Sequence, residues 1–454
     1  VPKQGYRLVA GTDNISHGST RPRVPKASFF AGAAIIAIIA ISAWFLTPDR
    51  PEQRVQTRNI TLAVLPFLNM SADVDQEYFS DGISEDLIVS LSKISDLRVL
   101  SRGASFSYKD KTVDIQTIGD ALKADYIVDG SVRKFGDTLR ISAQLVDAKT
   151  GANVWAERYE GDLWDVFEFQ DRVLNALVKT LSVRLSVSER ERLGIRGTLS
   201  VAAYDAYLQA LQQESVFTKE TNAEAERWHK EALRIDPQFA EAWAHLAQVY
   251  TYQVENHWVE DEPGTVQLAF DAANRAVAID PDLPYAHFSM GRVYNRSFSD
   301  QVEKSIPSYE RALELNPNYS DAKVFLGMAY TFEGQAERGL ELIESVLAET
   351  HLAPFSYFQG LGMARYFTRD FDGAVEALTK ASSQNPTAWQ PYRYLIAAYG
   401  MLGQVDDAEW MAIEYEALGR TASVADIIAT STIRDPEDRA LFGQGLRYAG
   451  LPEG

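Results

Sequence analysis

Cysteine is absent from the 454-residue sequence, and histidine is scarce. Without cysteine the chain forms no disulfide bond, has no thiol nucleophile and offers no thiolate to a metal ion. None of the histidines falls in the H-E-x-x-H or H-x-x-E-H spacing of zinc enzymes. The histidines are His17, His229, His245, His257, His287 and His351. We therefore predict that the chain has no metal site.

Motifs of common enzyme sites are also missing. The chain has no G-x-S-x-G turn, no G-x-x-x-x-G-K-S/T phosphate loop and no G-x-G-x-x-G dinucleotide loop. We predict that it is not an enzyme and has neither catalytic residues nor a cofactor. The acidic cluster Asp81, Glu85 and Asp86 is compatible with a metal or acid–base site. The interpretation that we favour is a helix N-terminus, where carboxylates interact well with the helix dipole.

Basic residues are too few to balance the acidic ones. The chain has 44 Lys and Arg against 63 Asp and Glu, a formal net charge of -19. Most of such a surface repels phosphates, so we expect no non-specific binding to nucleic acid. The hydrophobic content of 46% allows large cores, and the length suggests two or three domains.

One long uncharged run stands near the start of the chain. Between Lys26 and Asp49 no residue is charged, and residues 27–46 read ASFFAGAAIIAIIAISAWFL. Twenty such residues form a helix of about 30 Å, the thickness of the hydrocarbon layer. This run predicts one transmembrane helix; a cleaved signal peptide and a buried core helix are the alternatives. Basic residues before the run favour a cytoplasmic N-terminus, with residues 47–454 in the periplasm of a bacterium and the protein in the inner membrane.

Strand and helix patterns alternate after this run. ITLAVLPF from Ile60 reads as a buried strand, DGISEDLIVSLSKI from Asp81 as an amphipathic helix, and LRVLS from Leu97 as a second strand. A meander of three strands then runs from residue 124 to residue 161, before a helical stripe that begins at Phe167. The pattern predicts a compact α/β domain of about 130 residues.

An internal repeat follows beyond Ser200. Repeat units open with patterns such as Trp243, Leu246, Ala247 and Tyr250, and their ends read ALRIDP, AVAIDP, ALELNP and ASSQNP. The units resemble tetratricopeptide repeats of about 34 residues, in which pairs of helices stack into a solenoid. We predict five or six repeats in an all-α solenoid.

Two further resemblances give the expected family. VLPF, EYFSDGISEDL, ADYIVDGSVR and ANVWAERYE, between residues 58 and 185, resemble in order and spacing the TolB-like α/β domain of bacterial membrane-bound regulators and class III cyclases. That resemblance implies a non-catalytic module for sensing or protein contact. VPKQGYRLVA, residues 1–10, resembles the last strand of an OmpR/PhoB-type winged-helix domain, as in the ToxR- and CadC-like membrane-anchored activators. It implies that the chain is a fragment, and that Lys3 and Arg7 lie near DNA phosphates in the intact protein.

The predicted fold class is a multidomain protein with one transmembrane helix, an α/β TolB-like domain and an all-α tetratricopeptide-repeat solenoid. The predicted segments are the winged-helix strand, a linker, the membrane helix, a second linker, the TolB-like domain, a third linker, the repeats and a C-terminal cap. Their bounds are 1–10, 11–26, 27–46, 47–57, 58–186, 187–199, 200–435 and 436–454.

The predicted function is a one-component transcriptional regulator. Its TolB-like domain and repeats would bind a protein or peptide outside the cytoplasm and signal to a DNA-binding domain upstream. The alternatives are the sensor part of a class III adenylate cyclase and a periplasmic scaffold. The expected partners are a protein or peptide in the repeat groove, DNA through the upstream domain, the membrane through residues 27–46, and a second copy of the chain as a homodimer.

The concave face of the repeats is the predicted binding site. There, amides can hydrogen-bond a peptide backbone, arginine can bind a carboxylate with two donors, and tyrosine adds flat apolar area. The alternative is that these residues are solvated and bind nothing. The predicted groove residues are Gln248, Tyr285, Arg292, Asn295, Gln359, Tyr366 and Arg393.

Overall fold

We describe the fold from a computed structural model of the chain. The structure describes residues 60–73, 76–136, 138–192, 197–296, 301–348, 350 and 353–454. The predicted winged-helix strand, both flanking linkers and the predicted membrane helix at residues 27–46 lie outside the described residues. Residues 59–454 form one compact unit.

The first part of the described chain is a small mixed sheet with helices. The elements alternate in the predicted order, because apolar runs of period two and of helical period follow one another. The strands are β1 (Ile60–Val64), β2 (Leu68–Asn69), β3 (Leu97–Val99), β4 (Tyr126–Phe135), β5 (Thr138–Asp147) and β6 (Asn153–Asp162). The helices are α1 (Glu77–Ser92), α2 (Arg102–Phe106), α3 (Ile115–Leu122), α4 (Val166–Thr180) and α5 (Val187–Arg192).

The sheet has the order β3-β1-β4-β5-β6, and β2 pairs with β4. β1 pairs in parallel with β3 and β4, whereas β4, β5 and β6 form the antiparallel meander. β5 alternates buried and half-buried residues over most of its length, as expected for a strand with one face on the core. Helix α5 lies in the segment predicted to be a linker, where the Glu189 carboxylate accepts a hydrogen bond of 2.7 Å from the backbone N–H of Ser95.

Helix pairs make up the rest of the described chain. The first helices of the pairs are α6 (Val201–Glu214), α8 (Ala240–Glu255), α10 (Pro284–Tyr294), α12 (Ser320–Phe332), α14 (Phe355–Phe367) and α16 (Gln390–Leu402). Their partners are α7 (Lys219–Ile235), α9 (Glu262–Ile279), α11 (Ser305–Leu315), α13 (Ala336–Leu347), α15 (Phe371–Gln384) and α17 (Val405–Ala417). The chain ends with α18 (Val424–Ala429) and α19 (Pro436–Tyr448), and α19 packs on α16.

The fold class predicted from the sequence is wrong in its membrane element. Within the described ranges the chain is a mostly helical, tetratricopeptide-like solenoid with a small sheet domain. No helix of this part is both long enough and apolar enough to cross a membrane. The predicted location in the inner membrane depended on residues 27–46, and the described residues do not test it.

One hydrophobic core joins the sheet domain to the first repeats. Phe79 and Leu87 of α1 belong to the same buried cluster as Tyr207 and Leu208 of α6 and Leu246 of α8. The approach is close: a Cβ atom added to Gly82 of α1 would lie 2.4 Å from a methyl carbon of Leu208. The two regions therefore share one core and pack as one body.

Candidate functional site

A cavity of about 200 Å³ lies among the first helices of the repeat pairs. We call it the arginine cavity, because Arg292, Arg296, Arg393 and Arg420 line it. Its lining comes from α8, α10, α12, α14, α16 and the turn after α17.

Glu255 of α8 contacts α16 and the turn after α17 at one side of the cavity. The Gln390 side-chain amide donates to its carboxylate at 2.8 Å, and Arg420 donates to its backbone carbonyl at 3.1 Å. Arg296 makes an ion pair with the same carboxylate at 3.1 Å. The second and sixth helix pairs are thus connected directly, although they are far apart in the sequence.

Arg292 and Arg393 are buried without a carboxylate within ion-pair distance among the described residues. Arg292 donates to the Tyr252 hydroxyl at 3.0 Å, and its guanidinium lies 4.5 Å from the ring centre of Phe325. Arg393 donates to the Thr430 carbonyl at 3.1 Å and lies 5.0 Å from the ring centre of Trp389. The aromatic faces therefore hold both side chains in place.

Four of the seven predicted groove residues line the arginine cavity together: Arg292, Asn295, Gln359 and Arg393. Their spacing along the first helices of the pairs predicted that they share one face. That they bind a peptide stays a prediction.

The other predicted groove residues lie elsewhere. Gln248 is buried between helices, where its amide donates to the Ser289 hydroxyl at 2.8 Å. Tyr366 is fully buried in the core and donates to the Leu441 carbonyl at 3.1 Å, so its assignment to an open groove is wrong. Tyr285 lines a different cavity. Lys3 and Arg7 lie outside the described residues.

A second cavity, of about 310 Å³, lies where the sheet domain meets the repeats. We call it the junction cavity. Its lining includes five carboxyl groups and four tyrosine rings, and it brings together α1, α4, α6, α8 and the starts of α10 and α12. The carboxyl and tyrosine residues are Glu85, Asp86, Asp171, Glu241, Asp321, Tyr204, Tyr207, Tyr285 and Tyr319.

Asp86 is a carboxyl of this cavity whose pKa is strongly raised. Burial raises its pKa to about 7, although hydrogen bonds from the Tyr204 hydroxyl and the Gln170 amide oppose the shift. The Gln170 bond is 3.0 Å long. At neutral pH a large fraction of this carboxyl is therefore protonated.

The acidic cluster around Asp86 is not a helix N-terminus, contrary to the interpretation favoured from the sequence. Helix α1 begins at Glu77, so all three carboxylates lie further along it. Asp81 pairs with Lys109 at 2.5 Å, and Glu85 pairs with Arg102 at 2.8 Å. These partners come from α2 and the turn after it, which the sequence pattern did not place next to α1.

Sequence reasoning missed a third polar cluster, formed by Glu214, His229 and His245 of α6, α7 and α8. His229 Nε2 and His245 Nδ1 lie 2.5 Å and 3.0 Å from the two carboxylate oxygens of Glu214. One potential ligand atom from each residue falls within 4.8 Å of the others, which suits a metal ion as well as a hydrogen-bonded triad. The three residues come from three helices, so no local motif marks them.

The carboxyl of Glu214 is ionised in this cluster. Burial alone would raise the pKa of Glu214, but the two imidazoles overcome that effect and lower it to about 2. Burial lowers the pKa of His229. The arrangement therefore stabilises an ionised glutamate between two ring nitrogens.

Comparison with protein families gives two matches. Residues 58–188 match the model of the second domain of HilA/YgeH-like transcriptional regulators. Residues 285–319, which cover α11 and all but the first residue of α10, match a tetratricopeptide repeat. The expected TolB-like and winged-helix assignments are not shown by these matches.

Two curated proteins are similar to parts of the chain. A protein of Rhizobium meliloti (strain 1021) named "Putative adenylate cyclase 3" is 40% identical over 230 residues, which are 51% of this chain and 39% of that protein. The anaphase-promoting complex subunit 3 of Schizosaccharomyces pombe is 29% identical over 108 residues, 24% of this chain and 14% of that protein. The chain thus spans well under half the length of either relative.

Solved structures of repeat proteins also resemble it. A thermophilic tetratricopeptide-repeat protein of Thermus thermophilus has a TM-score of 0.35 at 18% identity, over 43% of this chain and 98% of that one. A tetratricopeptide-repeat protein of Parabacteroides merdae has a TM-score of 0.35 at 14% identity, over 55% of this chain and 100% of that one. The family models thus show one region similar to the second domain of HilA/YgeH-like regulators and another similar to a tetratricopeptide repeat.

Proposed function

We propose that the chain is the regulatory part of a transcriptional regulator. In this proposal the repeats bind a protein or peptide, and the sheet domain transmits that binding to a DNA-binding domain of the same protein, of which residues 1–10 would be the last strand. The chain itself acts by binding and catalyses no reaction. The matches to a regulator domain and to a repeat family of protein-interaction modules support it.

The observation that carries the proposal is the tight junction between the two regions. The Tyr78 hydroxyl of α1 donates to Asp205 of α6 at 2.7 Å, and Lys134 of β4 donates to the same carboxylate at 3.3 Å. Asn318, just before α12, donates to the Leu97 carbonyl at 2.8 Å. A partner that shifts the repeats therefore acts directly on the sheet domain.

The test uses the full-length natural protein and the variant Asp205→Ala. We expect the parent protein to shift its own promoter DNA with sequence preference at moderate salt. The variant should bind that DNA equally well but change the transcript level of the regulated gene, because the junction is loosened. Asp271→Ala, in the exposed part of α9, is the matched control and should leave transcription as in the parent.

The second candidate is the sensor part of a cyclase-type signalling protein. The identity of 40% to the Rhizobium meliloti protein favours it. Incubation of the full-length protein with ATP separates the two candidates. Formation of a cyclic nucleotide together with no sequence preference for DNA would contradict the regulator and support the cyclase. A second copy of the chain as partner stays a prediction in both cases.

A further inference from the structure

We propose that the arginine cavity binds a compact dianion, either a phosphate-class ion or a dicarboxylate. This site goes beyond the proposed function, because it concerns a small ligand and not the protein partner. It connects the second and sixth helix pairs, so its occupant would act on the closure of the solenoid.

The lining of the arginine cavity carries an excess of positive charge. Four guanidinium groups and two carboxylates, Glu255 and Glu262, line the cavity. Glu255 is already engaged by Arg296 and Gln390, and Glu262 lies 2.5 Å from His257 Nδ1. Two positive charges remain in excess inside a protein whose net charge is -19. Buried charge without a counter-charge is destabilising, so a dianion completes the balance.

Several hydrogen-bond donors of the cavity lining have no partner among the described residues. The Nε atoms of Arg292, Arg296 and Arg393 are buried and have no acceptor among the described residues. The Arg292 and Arg393 residues are only 8% and 5% exposed. The indole N–H of Trp389, in the same lining, also lacks an acceptor within the described part. Buried donors normally have partners, and a ligand with several oxygens would supply them.

Contacts with aromatic rings do not satisfy the hydrogen-bonding capacity of these N–H groups. Stacking engages the flat face of a guanidinium, as for Arg292 over Phe325 and Arg393 over Trp389. The N–H groups lie in the guanidinium plane and point away from that face. The rings therefore fix the orientation of the arginines without satisfying their in-plane donors.

Size selects a compact ligand. The volume of about 200 Å³ is below the range of about 300 to 1,000 Å³ that holds drug-sized molecules. The contacts of Glu255 with Gln390 and Arg420 close the cavity on one side. An extended peptide would have to break these contacts, whereas phosphate or a short dicarboxylate would not.

The experiment is a binding measurement on the full chain by calorimetry and thermal melting. Inorganic phosphate, succinate and chloride are added at matched ionic strength. We expect a saturable rise in melting temperature with phosphate, succinate or both, and none with chloride. Arg393→Gln should weaken the binding at least tenfold. Arg393→Lys, which keeps the charge but loses the planar fork, should weaken it as well and serves if the first variant is poorly folded.

The matched control is Arg447→Gln. Arg447 pairs with Glu453 on the surface, away from the cavity, so the variant should bind the anion like the parent. Absence of a saturable effect from both dianions, or unchanged binding in both Arg393 variants, would overturn the proposal. So would binding only of a peptide with a free terminal carboxylate and not of the small dianions. None of these results bears on promoter binding, which tests the proposed function separately.

Discussion

Asp86 links the stability of the junction to pH. In the folded chain its pKa is about 7, whereas a free aspartate has 3.8. The folded state holds this proton more tightly than the unfolded state does. The contribution of Asp86 to the free energy of unfolding is therefore greatest below pH 4 and falls as the pH rises towards 7. Each pKa unit corresponds to about 1.4 kcal/mol, so the full effect is at most about 4 kcal/mol.

We therefore predict that Asp86→Asn flattens the pH dependence of unfolding between pH 4 and pH 8. Asparagine keeps an oxygen that accepts from Tyr204 but has no proton to lose. Denaturant unfolding at several pH values measures the effect, with Asp271→Asn on the exposed part of α9 as the control. Burial also raises the pKa of Glu241, so this carboxyl adds a slope of the same sign in both proteins. Parallel curves for parent and Asp86→Asn would contradict the prediction.

Glu214 gives a second prediction at this scale. Glu214→Gln should lower the free energy of unfolding by about 1 to 3 kcal/mol at neutral pH, because an amide nitrogen would then face a buried imidazole. Urea unfolding measures the loss. Glu231→Gln on α7 is the control: its carboxylate pairs with Arg234 at the surface, and we expect a change within about 0.5 kcal/mol. Equal losses in both variants would show that the triad contributes nothing specific.

Contacts between side chains of different helices were the feature of this molecule that the sequence predicted least well. The first-helix spacing placed Arg292 and Arg393 on the concave side, since a helix presents one face at a regular period. The same spacing placed Tyr366 there, although the C-terminal helix α19 covers it. Periodicity identifies a face but does not tell which other helix lies against it. The Glu214 triad was missed for the same reason.

At the scale of elements, the crossing of α16 and α19 depends on two glycines. A Cβ atom on Gly400 would lie 2.0 Å from the backbone oxygen of Gly445, and one on Gly445 would lie 2.7 Å from the backbone oxygen of Ala397. The backbones touch, so no side chain can move aside to make room. The chain end is therefore held by contact of helix backbones.

We predict that Gly400→Ala destabilises the protein by about 1 to 3 kcal/mol, as an overpacked core does. The helix preference of alanine acts in the opposite direction, so the loss reports the crossing. Thermal or urea unfolding measures it. Gly103→Ala in α2, where a Cβ would meet no atom within 4 Å, should be neutral or stabilising. A stabilising Gly400→Ala would mean that α19 does not pack closely on α16 in solution.

The order of elements followed well from the sequence. The strands of the meander and the helix pairs carry strong periods of two and of 3.6 residues, and the prolines after α7, α9, α11 and α15 mark helix ends. Helix α5 was missed because its short, charged sequence VSERER has no apolar stripe. The contact of α16 with α8 was not predictable, because repeats resemble one another whether or not their ends meet.

For the whole molecule, charge sets the expected behaviour towards nucleic acid. The 454-residue chain should show no shift of a non-specific DNA duplex in a gel, even at low salt, because its net charge of -19 repels phosphates. The full-length natural protein, tested on the same duplex, is the comparison. A salt-dependent shift by the 454-residue chain alone would show that its few basic residues form a concentrated patch.

The closure at Glu255 changes how the solenoid should come apart. An open array of repeats loses helices one pair at a time from its ends, because each pair contacts only its neighbours. Here Gln390 and Glu255 meet across 135 residues, so the last pairs cannot fray without also releasing α8. We expect amide hydrogens of α16 and α8 to exchange with deuterium at similar rates, and Gln390→Ala to make α16 exchange faster than α8. The contact between Glu255 and Gln390 also affects folding during synthesis. The first repeats cannot form it until the final helices have been synthesised.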